Sequence, residues 1–357
     1  MSFSEKYWSD SGRVNNETFI VFEAGPTHTG LESAIKLADA AKEAGADAIK
    51  FQITDHNNLI ADKNLPFTYS ILGENGAVEQ ITEPLWNIWE RRWMPESDWS
   101  KVFSHCKKIG LDIFATVFSE RDIDFVVSEG SSSLKIASQD TNYHSLIKYA
   151  ATSMLPIQLD TGGSTIGEIE RAVAWVLGEG NNQIIINHCP SGYPARYTSV
   201  HLNMIRSLKS CFKCPVAFSD HNPGRDMDIA AVAVGADIIE KTITLDRRQK
   251  SCEHMFSLEP HELANFVGSI RNVESAMGEP LRVLAAEEVR KRDMIRRSMH
   301  LTKSCKAGEP LRKSDYRFMR PGDGITPDQE YVLQGARLKS DKEAGAKITI
   351  ADLDISS

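Results

Sequence analysis

Two lysines and a set of hydroxyl-bearing and acidic side chains follow short apolar runs along this chain. Lys50 and Lys135 could supply positive charge to a phosphate or carboxylate group, and nearby Ser and Thr hydroxyls could supply oriented hydrogen-bond donors. If these side chains converge, the sequence predicts a site for an anionic small molecule. The remaining candidates are Glu23, Gln52, Thr116, Ser138, Asp160, Ser191, Tyr193, Ser219, His221, Glu240, Glu253 and His254.

The acidic candidates allow a second kind of chemistry. Glu23, Glu240 and Glu253, together with His221, could hold a divalent metal ion or relay protons. Each residue taken alone also has a simpler interpretation, because a lone buried lysine can pair with a carboxylate and a lone histidine is usually a hydrogen-bonded core residue. The functional hypothesis therefore depends on their meeting in one place.

A repeating pattern of apolar run and amphipathic helix would bring them together. Eight strand–helix units predict a closed (β/α)₈ barrel of the α/β class, in which catalytic groups lie at the carboxyl ends of the strands. A doubly wound sheet would more often carry a glycine-rich loop after its first strand, and residues 23–27 do not form one. The predicted strands are 19–24, 48–51, 112–117, 134–137, 156–159, 183–187, 215–219 and 236–243, and the helices that follow are 31–44, 96–109, 120–129, 143–152, 166–177, 200–209, 227–234 and 261–276.

The connection over residues 52–95 is long for such a barrel. It contains Trp86, Trp89 and Trp93, which predict either a packing cluster or part of a lid over the active-site face. Beyond residue 280 the barrel pattern ends and short strands with Gly-rich turns begin. For a chain of 357 residues we therefore expect a barrel over 1–280, a charged linker or helix over 281–294 and a small β-rich domain over 295–357.

Bulk composition narrows the class of protein. A net charge of −8 argues against nucleic-acid binding, which normally needs a basic surface. No apolar run approaches the ~20 residues of a membrane span, and the polar first ten residues lack the apolar core of a secretory signal. We therefore expect a cytoplasmic metabolic enzyme that does not bind membranes.

Ordered motifs along nearly the whole chain resemble the sialic acid synthase family, which includes N-acetylneuraminate, legionaminate and pseudaminate synthases. They are FEAGPTHTG at 22–30, AGADAIKFQ at 44–52, LKIAS at 134–138, HC at 188–189 with YP at 193–194, FSDH at 218–221, IEK at 239–241, EH at 253–254 and SLEP at 257–260. RPGDGI at 320–325 resembles the core of the antifreeze-like (SAF) domain that closes these synthases.

The resemblance implies that phosphoenolpyruvate condenses with the aldehyde of an open-chain N-acetylated amino sugar. Phosphate leaves by C–O cleavage, and a Mn²⁺ or Mg²⁺ ion polarises the aldehyde and positions the water. The family also implies a homodimer in which Arg320 of one subunit reaches into the barrel of the other. By the same resemblance, Lys50, Thr116, Lys135, Ser138 and Ser219 hold phosphoenolpyruvate, Glu23 handles a proton at the reacting carbon, and Gln52, Tyr193 and Glu253 face the sugar and the metal-bound water.

The chain departs from this family pattern at three positions of the site. His221 matches one of the two metal-binding histidines, but Thr242 stands at the second, so that Glu240, Glu253 or His254 completes the site, the metal binds weakly, or no metal is needed. Asp160 replaces a serine near the phosphate and would repel it unless paired with a lysine or protonated. Ser191 replaces an asparagine expected to bind the same ligand.

Two other functions remain open at this level. The same barrel could be a lyase or aldolase in which Lys50 or Lys135 forms a Schiff base with its substrate. It could also be a non-catalytic homologue that binds a sugar phosphate, since a fold does not guarantee its function and Thr242 and Asp160 alter the site.

Overall fold

A computed structural model describes residue 7 and residues 17–53, 55–73, 75–278 and 280–354. The chain divides into two compact units, Met1–Gly278 and Glu279–Ser357. No helix within the described ranges is long and apolar enough to cross a membrane.

The first unit is a closed barrel of eight parallel strands, which confirms the predicted fold class. Each strand pairs with its sequence neighbour in the barrel, and the first pairs with the last, Phe19 opposite Ile238. The barrel strands are β1 (Phe19–Glu23), β2 (Ala48–Ile53), β5 (Asp112–Val117), β6 (Leu134–Ile136), β7 (Ile157–Asp160), β8 (Ile184–His188), β9 (Val216–Asp220) and β10 (Ile238–Thr242).

Helices with one apolar face surround the barrel. In Leu31–Glu43 the buried residues fall on one face, and Gly45, with a φ of 86°, ends the helix in a left-handed conformation. Helix boundaries agree with the sequence predictions to within one residue at each end, except that the predicted helix 200–209 is two helices, Tyr197–Val200 and Asn203–Phe212. The remaining barrel helices are Glu96–Ile109, Glu120–Ser128, His144–Thr152, Ile166–Gly178, Asp226–Val234 and Pro260–Met277.

Side chains alternate in direction along each strand, so the strands contribute to two separate cores. Successive strand residues point to opposite sides, so one set packs against the helices and the other fills the barrel interior. The interior cluster is apolar near the strand starts, and the next inward positions toward the carboxyl ends are polar; in β1, for example, Phe19 and Val21 precede Glu23. The apolar members are Phe19, Val21, Ala48, Phe114, Ile185, Ala217 and Ile238.

The long connection after β2 contains secondary structure that the sequence analysis did not predict. An antiparallel hairpin pairs β3 (Pro66–Leu72) with β4 (Val78–Pro84), and the helix Leu85–Glu90 follows it directly. The hairpin residues are exposed or half-buried except for the buried Tyr69, so the hairpin lacks the apolar run by which a buried strand is recognised. A short helix, His56–Leu59, precedes it.

The second unit is small and built from short strands. β11 (Ser298–Leu301) pairs with β12 (Tyr316–Met319), and β13 (Arg337–Leu338) pairs with β14 (Leu353–Asp354). Its apolar core includes Met299, Leu301, Ile325, Leu338 and Ile348. The predicted linker 281–294 contains most of a solvent-exposed helix, Ala286–Ile295, which belongs to this unit.

Candidate active site

The carboxyl ends of the barrel strands open into a cavity of roughly 610 Å³. Its lining brings together side chains from β1, β2, β5, β6, β7, β9 and β10, which are far apart in the sequence. Of the residues proposed from sequence, the cavity is lined by Glu23, Lys50, Gln52, Thr116, Lys135, Ser138, Asp160, Tyr193, Ser219, His221, Glu240 and Glu253.

Five charged side chains form what we call the cavity network: Lys50, Lys135, Glu23, Asp160 and Glu240. Lys135 Nζ lies 2.6 Å from Glu240 Oε1 and 3.0 Å from Asp160 Oδ1. Lys50 Nζ lies 2.9 Å from the same Glu240 oxygen and forms an ion pair with Glu23. Glu23 and Asp160 end their strands, and the other three lie one to three residues before the ends of theirs; because all five side chains point inward, residues from five strands meet at the cavity.

The network sets the protonation of its members. Burial lowers the pKa of Lys50 to about 8, although Glu240 opposes the shift. Burial also acts against the charge on Lys135, but Asp160 and Glu240 outweigh it and raise the pKa of this lysine. For Glu240, burial favours the neutral acid, and Lys135 with Lys50 more than compensates, which holds its pKa below the ordinary range.

Hydroxyl and amide groups surround the network. Ser219 Oγ donates to Glu240 Oε1 at 2.6 Å, and Ser138 Oγ accepts from the backbone N–H of Gly162 at 3.1 Å. Glu23 Oε1 accepts from the N–H of Gly25 at 2.6 Å, which fixes the carboxylate. A β-carbon on Gly25 would lie 2.6 Å from Gln52 Cγ, so this close approach requires glycine.

Aromatic side chains also contribute to the lining of the cavity, among them Tyr193 and His221. The rings of Tyr193 and His221 lie 4.8 Å apart, and Phe256 contacts both. Glu253 Oε2 accepts a 3.4 Å hydrogen bond from Thr242 Oγ1. At the position where the family resemblance implies the second metal-binding histidine, Thr242 is buried and hydrogen-bonded to Glu253.

Several residues of the cavity wall were not named as site candidates from sequence, although Trp89 was predicted to belong to a packing cluster or a lid. Trp89 and Arg92, from the connection after β2, line the cavity together with Phe118, Cys189 and Cys252. Trp89 thus belongs to the cavity wall, whereas Trp86 packs on His56 at 4.4 Å. Three tryptophans in an insertion after a barrel strand indicate that this segment contributes to the cavity, but they do not distinguish Arg92 from Arg91.

Three candidates lie elsewhere in the structure. Ser191 lines a separate surface depression with Gly162 and Thr165. His254 is buried against Thr244, whose Oγ1 lies 2.7 Å from its Nδ1, and burial lowers the pKa of this histidine to about 4. Arg320 belongs to the second unit and is the first residue of the motif 320–325.

A metal-binding cluster does not form around His221 in the described part of the chain. The group of three His, Asp or Glu ligands close enough to share an ion is Glu259, His261 and Glu262, at the start of helix Pro260–Met277. There the carboxylates are bound to Arg247 and to the helix start. At the cavity, Glu240 is held by two lysines, so the residues present do not fit the metal site of the family.

A second group of buried charges, which we call the Lys241 network, lies on the other side of β10. Lys241 Nζ lies 2.5 Å from Asp220 Oδ2 and 3.2 Å from Asp228 Oδ2, and it donates to the carbonyl of Asn222 at 2.6 Å. These side chains do not line the cavity. Because Lys241 follows Glu240 directly, it points away from the interior and ties β9 and β10 to helix Asp226–Val234.

The barrel and its charged cavity define an α/β-barrel enzyme of small-molecule metabolism. The NeuB family model matches residues 37–282, and the chain belongs to the NeuB family. This finding confirms the resemblance drawn from the motifs.

Relatives of known name extend over almost the full chain. The N,N'-diacetyllegionaminic acid synthase of Legionella pneumophila is 32% identical over 335 residues, covering 92% of this chain and 93% of the relative. A pseudaminic acid synthase of Campylobacter jejuni is 30% identical and covers 95% of this chain and 97% of its own length. The crystal structure of an N-acetylneuraminic acid synthetase from Leptospira borgpetersenii has a TM-score of 0.68 at 29% identity, covering 78% of this chain and 91% of that one.

Proposed function

We propose that this protein condenses phosphoenolpyruvate with the aldehyde of an open-chain amino sugar to form a nonulosonic acid and phosphate. The observation that carries the proposal is the cavity network, in which two lysines and an oriented glutamate meet at the strand ends of a NeuB-family barrel. The named relatives are synthases of such acids and support this choice of reaction.

The reaction balances as a condensation with water. C3 of phosphoenolpyruvate attacks the aldehyde carbon, water adds at C2, and the C2–O bond breaks so that inorganic phosphate leaves. Lys50 and Lys135 stabilise the phosphate as its charge increases, and Thr116, Ser138 and Ser219 supply donors. Glu23 handles the proton at the reacting carbon, while Gln52, Tyr193 and Glu253 face the acceptor.

Asp160 competes with this phosphate because it binds Lys135 at 3.0 Å. Because Asp160 is paired with Lys135, a carboxylate can occupy this position near the phosphate. Phosphate binding must then weaken the ion pair or protonate Asp160. No step is assigned to a metal ion, because His221 lacks the ligands that would complete a site. The requirement for Mn²⁺ or Mg²⁺ stays a prediction of the family resemblance.

A panel assay tests the reaction. The purified protein is incubated with phosphoenolpyruvate and a series of hexosamine aldehydes, with Mn²⁺, with Mg²⁺ and with a chelator, and phosphate release is measured against product formation. We expect equal amounts of phosphate and nine-carbon acid with at least one sugar. Calorimetric binding of phosphoenolpyruvate without turnover under every metal condition would instead favour the non-catalytic homologue.

A Schiff-base lyase is the second candidate, and the pKa of Lys50 favours it. Burial brings this pKa to about 8, so that a fraction of the amine is neutral and nucleophilic near neutral pH. Borohydride reduction with pyruvate distinguishes the two functions. A covalent adduct on Lys50 supports the lyase, and the synthase should give none.

The second unit is proposed to be an antifreeze-like domain whose Arg320 enters the barrel of a partner subunit in a domain-swapped homodimer. Mixing two inactive variants, K135M and R320M, tests this arrangement. A swapped heterodimer contains one intact site, so random mixing should restore about a quarter of the activity. No recovery after verified subunit exchange would contradict the swap.

A further inference from the structure

Arg92 brings a third positive charge to the cavity, in addition to the two lysines of the cavity network. It follows the helix Leu85–Glu90 in the connection after β2, and only 8% of the residue is exposed. Its guanidinium carbon lies 3.6 Å from the ring centroid of Trp89, which also lines the cavity. Stacking on one face fixes the plane of the guanidinium and leaves its N–H edge available for an in-plane ligand.

This guanidinium is incompletely paired among the residues that the structure describes. Its buried Nε lacks a hydrogen-bond acceptor there, and none of the described carboxylates forms an ion pair with it. The preceding Arg91 behaves differently, since it makes two hydrogen bonds to Glu83, at 2.6 and 2.8 Å. A buried cation without a counterion is costly, so Arg92 is a site that an anionic ligand would stabilise.

We do not expect the anionic ligand of Arg92 to bind at the cavity network, because the network already contains three carboxylates. Two lysines face three carboxylates, Glu23, Asp160 and Glu240, within hydrogen-bonding contact of one another. Arg92 instead lines the cavity together with Tyr193 and Glu253, the residues that the family resemblance assigns to the acceptor. Its position therefore corresponds to the acceptor end of the cavity.

We propose that Arg92 is a specificity-determining residue that binds a carboxylate or phosphate group carried by the acceptor sugar. The inference rests on the proposed function and narrows it, because the substrate becomes an anionic amino-sugar aldehyde. Arginine suits this role since its planar fork can make two parallel hydrogen bonds to either group. A neutral acceptor would leave the buried guanidinium without its partner.

Matched acceptors test the specificity in the intact protein. The probes are N-acetylmannosamine, its 6-phosphate and N-acetylmannosaminuronic acid, assayed by phosphate release from phosphoenolpyruvate. We expect the KM of one anionic acceptor to be about tenfold or more below that of the neutral sugar, as charge-assisted hydrogen bonds to arginine would produce. The phosphate and uronate arms identify which anion is bound.

Variants assign the effect to Arg92. R92M should raise the KM for the preferred anionic acceptor about tenfold or more and should reduce the preference for that acceptor over N-acetylmannosamine by a similar factor, with R92K intermediate between wild type and R92M. R91M is the matched control, because Arg91 is an adjacent arginine with its own partner. Equal KM values for neutral and anionic sugars, or an equal loss on both in R92M, would overturn the proposal.

A binding measurement separates this inference from the proposed reaction. Calorimetry with N-acetylmannosamine 6-phosphate and with the uronate, without phosphoenolpyruvate, should show binding that R92M loses and R91M keeps. If that result is obtained while no sugar releases phosphate, the subsite stands and the synthase proposal fails. If phosphate is released but R92M binds both anionic sugars as the wild type does, the subsite fails and the synthase proposal stands.

Discussion

The cavity network and the Lys241 network place similar charges on neighbouring strand positions, and they differ in access. Glu240 and Lys241 are consecutive in β10, yet one points into the cavity and the other away from it toward helix Asp226–Val234. Lys241 and its two aspartates have side-chain exposures of 0–1%, whereas Asp160 in the cavity network is 9% exposed. Buried lysine–carboxylate clusters are therefore not sites in themselves; opening to a cavity makes one a candidate.

The largest expected contrast comes from removing Lys135, one of the two lysines of the cavity network. K135M should reduce kcat/KM for phosphoenolpyruvate by about a thousandfold or more, because a charge that stabilises the departing phosphate is lost. Steady-state kinetics and a thermal unfolding profile measure this together. Retention of most of the activity in a folded K135M protein would contradict the assignment.

The corresponding change in the Lys241 network should affect stability instead. K241M leaves Asp220 and Asp228 buried without a cation, which typically costs about 3–5 kcal/mol of unfolding free energy. Urea unfolding measures the difference. Since Lys241 does not line the cavity, the protein that still folds should keep the wild-type KM for phosphoenolpyruvate, and a selective loss of activity would reverse the comparison.

Substitution of Asp160 should have a smaller effect than K135M or K241M, and the effect should appear in the binding of phosphoenolpyruvate. D160S removes the carboxylate that holds Lys135, so the KM for phosphoenolpyruvate should fall about tenfold, equivalent to roughly 1.4 kcal/mol of relieved competition. D160N is the control for size, because it removes the charge and keeps the shape. Loss of turnover in both variants would show that Asp160 takes part in the reaction.

The smallest effect concerns pH. Lys50 must be charged to bind phosphate, so kcat/KM should decrease as pH rises through about 8, and K50R should lack this decrease because arginine stays protonated. The lowered pKa of Lys50 also makes the unfolding free energy depend on pH. Between about 8 and the ordinary lysine pKa of 10.5 the unfolded chain binds more protons, so unfolding free energy should rise with pH in that window. An identical pH profile in K50R would exclude Lys50 as the titrating group.

The barrel and most of its site were predictable from sequence for one physical reason. Buried parallel strands leave short apolar runs, and polar residues at their carboxyl ends, such as Lys50 and Glu240, stand out against them. Because an unpaired carboxylate near the phosphate would be costly, the sequence predicted that Asp160 pairs with a lysine or is protonated. Lys135 is that lysine. Arg92 was not predictable in this way, because an insertion with an exposed hairpin gives no periodic signal for where one side chain points.

Isotope labelling of phosphoenolpyruvate tests the central claim most directly. The substrate carries ¹⁸O in the oxygen that bridges C2 and phosphorus, and the reaction is run with the preferred acceptor sugar. The account predicts C–O cleavage, so mass spectrometry should find the label in inorganic phosphate and none in the sugar acid. Label retained in the organic product, or a nine-carbon acid formed without phosphate, would contradict it.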